Sequence, residues 1–195
     1  LHLSLRRQRQ MCIRDRLPHN DVAYDSTALW THVASGVRGI PDRLGRLVPV
    51  ILVAVPVLAI AVPLTLLWID DWRLLLPLTG LGASLLLSAL GFSSIVSVIA
   101  PYAVSRPGDS PFQQPQRPTS RGAYGPAAAF LGAIVVSVPT IWLLVLTMLE
   151  GSQFAPATFW AGLATGIAVF AIGVGVGGRI FEHEGERLME FVETA

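Results

Sequence analysis

Residues 47–69 read LVPVILVAVPVLAIAVPLTLLWI, a run with no charged side chain. A helix needs about 20 predominantly apolar residues to cross the hydrocarbon core of a bilayer, and this run supplies them. Three more uncharged stretches follow, at 74–105, 122–149 and 151–178. The chain is 52% hydrophobic and only 14% charged, whereas a soluble domain carries about a quarter charged residues. Four helices that are apolar on every side would have almost nothing to coat them in water. The expected fold is therefore all-α and integral to the membrane. Its four transmembrane helices, at 47–69, 74–100, 126–149 and 159–180, form two hairpins within a bundle spanning 47–180.

The segments between the spans differ in kind. Asp70-Asp71-Trp72-Arg73 and residues 150–158 are short polar turns that close the two hairpins. Residues 103–125 are rich in Pro, Gln, Ser and Gly, and such a composition buries too little apolar area to fold alone. Residues 17–46 read as an amphipathic juxtamembrane segment. Within it Leu29, Val33 and Val37 recur at helical spacing beside Trp30, which fits a surface helix or a connecting loop. The acidic tail, 181–195, places Phe181, Leu188 and Val192 on one face of a short helix. Pro56 and Pro63 in span one and Pro139 in span three would break a soluble helix but are tolerated between membrane helices.

Arginine gives the expected orientation, because cytoplasmic loops near spans are enriched in Lys and Arg. Arg38, Arg43, Arg46, Arg106, Arg117, Arg121 and Arg179 fall on one side of a four-span topology, and Arg73 alone on the other. The reading puts both termini in the cytoplasm and the spans in a bacterial inner membrane.

Few residues offer chemistry. Gly162, Gly166, Gly173 and Gly177 in span four lie within roughly 60° of one another at 100° per residue. Such a stripe lets helix backbones approach closely in lipid, so these four are the expected helix-packing residues. The string 173–178, GVGVGG, is not preceded by the strand that a dinucleotide loop requires, and no nucleotide site is expected. His183-Glu184 lacks the second His of a zinc-protease motif, since Arg187 stands there. No Asp or Glu sits in the middle of a span, where it would mark a proton or ion path. No nucleophile–base pair can be assembled, so no enzyme activity, metal or cofactor is expected.

The head of the chain, Arg6-Arg7-Gln8-Arg9-Gln10-Met11-Cys12-Ile13-Arg14-Asp15-Arg16, resembles the conceptual translation of a transposase-type sequencing-library adapter. On that reading residues 1–16 are not native, and the native sequence starts near Leu17. The basic head then implies no nucleic-acid partner, and Cys12 carries no redox or metal role. Removing those residues takes away five Arg and one Asp, leaving nine basic and twelve acidic residues and a net charge of −3 rather than +1.

Several boundary stretches resemble the C-terminal part of actinobacterial ABC-type export permeases, the multi-span partners of a separate ATPase. They are Asn20-Asp21-Val22-Ala23-Tyr24-Asp25, residues 34–39 (ASGVRG), residues 42–46 (DRLGR), residues 106–112 (RPGDSPF) and Gly178-Arg179-Ile180-Phe181. The resemblance implies a membrane-spanning permease subunit of an ATP-driven exporter, here a C-terminal fragment, with no ATP-binding residues of its own. Its implied partners are the lipid bilayer, the ATPase, and the remaining spans of a longer permease or a second copy. Arg38, Arg43 and Arg46 before span one, with Phe112 in the loop, are the candidate ATPase-coupling surface. The alternative is a small membrane scaffold or assembly protein without a transport path.

Overall fold

A computed structural model describes residues 38–99 and 120–183, with side chains on the second segment from Tyr124 onward. The adapter-like head, the segment around Trp30, Phe112 and the tail beyond His183 lie outside the described residues. Among the described residues every regular element is helical. Helix α1 is Gly39–Ile69, α2 is Leu75–Ile99, α3 is Ser120–Glu150 and α4 is Ala155–His183. All four are long and apolar enough to cross a membrane. Their outward faces are apolar too, with Leu52, Val53, Val135 and Ile172 each more than 60% exposed. Water would penalise such an exterior, and a bilayer does not. The protein is a multi-pass, all-α membrane protein.

Four helix ends differ from the limits set by charge alone. α1 begins at Gly39, so residues 39–46, the last part of the expected juxtamembrane segment, continue the helix of span one. α3 begins at Ser120, inside the polar loop, and α4 begins at Ala155 and runs on through Phe181 to His183. A hydropathy limit marks where the hydrocarbon ends, whereas backbone hydrogen bonds continue wherever polar side chains reach partners or headgroups. At 1.5 Å per residue, the 31-residue α1 and α3 are each about 46 Å long, well beyond a hydrocarbon core of about 30 Å.

Each hairpin turns in the same way. After α1, Asp70 adopts a left-handed conformation (φ 59°) and its N–H donates to the Leu66 carbonyl at 2.8 Å. A three-residue 3-10 turn, Trp72–Leu74, then leads into α2. After α3, Gly151 takes φ 109°, its N–H donates to the Thr147 carbonyl at 3.2 Å, and the 3-10 turn Ser152–Phe154 leads into α4. Glycine meets the second requirement without strain. Aspartate is among the few other residues that tolerate the first. Trp68, Trp72 and Trp160 are exposed around this end of the bundle, the position that an interfacial aromatic belt takes.

Asp71 caps the first turn by accepting the Arg73 backbone N–H at 3.1 Å and its guanidinium at 2.9 Å. The side-chain hydrogen bond from Arg73 is the main cause holding the Asp71 carboxyl below its ordinary range. The contact therefore stabilises the turn at neutral pH and is lost as pH falls through that lowered value. Arg73→Ala is expected to raise the Asp71 pKa toward the ordinary carboxylate range, read by carboxyl-carbon NMR in micelles. An unchanged titration would contradict the contact.

The widest interface joins α2 to α4, helices that are not neighbours in sequence. Gly80 meets Gly162, and eleven residues further along both helices Gly91 meets Gly173. The two helices thus run parallel in a fixed register. α3 lies antiparallel to α2, with Gly132 beside Phe92 and Ser84 bonded to Ser137 at 2.8 Å. α1 is also antiparallel to α2, with Gly82 against Leu58. One apolar cluster forms around Leu47, Leu90 and Val174, and another around Val62, Leu66 and Leu74. The middle of the bundle is built largely from small residues: Gly80, Ser84, Ser88 and Gly91 on α2, and Ala129, Ala133, Ser137 and Thr140 on α3.

Candidate functional site

The described arginines other than Arg73 gather at one end of the bundle, where α1 begins and α2 and α4 finish. α1 starts there because Gly39 lets its backbone touch that of Gly178 on α4. The Gly39 N–H, one of the donors a helix start leaves open, is taken by Glu182 Oε1 of α4 at 2.7 Å. A carboxylate also complements the positive end of the helix dipole. Arg38, the N-cap residue, makes no side-chain cap and is exposed.

One turn further in, Arg43 is 1% exposed and Asp42 is 8% exposed. Arg43 Nη2 donates to Asp42 Oδ2 at 2.9 Å, and Arg46 Nε reaches the same oxygen at 2.8 Å. Arg43 Nη1 also donates to Ser97 Oγ on α2 at 3.0 Å. Its guanidinium carbon lies 4.9 Å from the centre of the Phe181 ring on α4, within cation–π range. Burial of a charge this complete requires pairing and hydrogen bonds. The residues of this cluster come from three helices, so they brace α1 against α2 and α4.

This geometry rearranges the expected coupling surface. Arg43 points inward and is not available at the surface, because its charge is consumed by the brace. Arg46 is half-turned inward onto Asp42, with 13% of its side chain exposed. Arg38 remains outward, and Arg179 is exposed at the same end. Phe112 lies outside the described residues. The sequence alone did not single out Asp42, Ser97, Phe181 or Glu182 for this role. The Asp42 to Arg46 spacing of four was a visible helical pair. The contributions of Ser97 and Phe181 depend on tertiary packing and leave no local signal.

Gly162, Gly166, Gly173 and Gly177 are all buried and lie against α2. A methyl group at Gly166 would sit 2.9 Å from the Ala83 carbonyl oxygen, and one at Gly177 would sit 2.6 Å from that of Ser94. At Gly162 and Gly173 it would fall on the backbones of Gly80 and Gly91 themselves. Such contact leaves no room for a passage between α2 and α4. Among the described residues no group of three metal-binding side chains comes together. What the arrangement does physically is tie α1 to both α2 and α4 at this end. Compared with known proteins, the chain matches no family model, no curated protein and no solved structure.

Proposed function

We propose that the chain is the membrane-spanning part of a permease subunit of an ATP-driven exporter, with both termini in the cytoplasm of a bacterial cell. The observation that carries the reading is the brace at the arginine-rich end. An ATPase works in water and can move a permease only from the cytoplasmic side. A load applied there to α1 reaches α2 through Ser97 and α4 through Phe181 and Glu182. The resemblance of the boundary stretches to export permeases points the same way. The tight α2–α4 contact specifically favours a second reading, a static scaffold. On the exporter reading it means that the transport path runs along the outside of this bundle, against further helices.

Charge reversal at the outward arginines, Arg38→Glu with Arg179→Glu, is expected to reduce ATPase co-purification and export severalfold. Cysteines at Ser110 and Ser152 check that topology is intact, and they should label from opposite sides of the membrane. Unchanged association and export would leave the arginines as orientation signals and favour the scaffold.

A further inference from the structure

We draw no further inference here: the strongest candidate, the stripe of small residues Ala157, Ala161, Ala164, Ala168 and Ala171 that Gly175 continues along the side of α4 turned away from α2, carries nothing because nothing in the structure shows what covers it.

Discussion

Gly173→Val is expected to disrupt the bundle, while Gly175→Val, two residues on and on the opposite face of the same helix, leaves it intact. At Gly173 an added side chain meets the Gly91 backbone, which has no rotamer with which to yield. At Gly175 there is nothing within 4 Å. Relief at Gly173 requires α4 to move away from α2, and that loosens the register that also seats Gly162 on Gly80. Overpacking in a tight core costs about 1–3 kcal/mol where side chains can shift, and a backbone-on-backbone clash lies at or above the top of that range. Unfolding in mixed micelles, followed by helix content, measures the difference. Equal stability of the two variants would show that the glycines reflect composition and not contact.

Asp42→Ala is the second large effect. It removes the carboxylate on which Arg43 and Arg46 converge. Breaking a buried ion pair by deleting one partner costs about 3–5 kcal/mol. The loss should fall on α1, whose central apolar stretch is otherwise the least buried of the four spans. Protease susceptibility or hydrogen exchange at the start of α1 should therefore rise while the α2–α4 pair stays protected. Glu150→Ala, at an exposed helix end, serves as the control and should change neither. A uniform loss of protection across all helices would contradict the role assigned to the brace.

How much of this was legible in the sequence depends on the range of the interaction. The four spans were legible because absence of charge is a local property that a bilayer enforces directly. Helix ends were less so, since Asp42, Arg43 and Arg46 look like a polar stop and are in fact helical residues that satisfy one another. The glycine stripe of α4 could be drawn from its spacing. Its partner face on α2 was hidden, because Gly80, Ser84, Gly91 and Ser94 are interleaved with leucines that face elsewhere. Arg43 was read as a surface charge for the same reason. Only the fold brings Ser97 and Phe181 to it, and without them a buried arginine would be prohibitively costly.

The central structural claim is that α2 and α4 run parallel, packed backbone to backbone through small residues. Disulfide trapping in membranes tests it most directly, in a Cys12→Ser background with cysteine pairs at 87 with 166 and at 94 with 177. Leu87 Cβ lies 3.1 Å from the place of a Cβ at Gly166, and Ser94 Oγ, where a cysteine would carry its sulfur, lies 2.8 Å from that of a Cβ at Gly177. The small outward shift of α4 that the Ala83 and Ser94 carbonyls demand of any side chain at 166 and 177 brings both pairs toward the Cβ separation of about 3.5–4.5 Å that a disulfide needs. The account predicts rapid oxidation of 87 with 166 and of 94 with 177, and none of the crossed pairs 87 with 177 and 94 with 166. Oxidation of the crossed pairs instead would mean antiparallel helices and would contradict it.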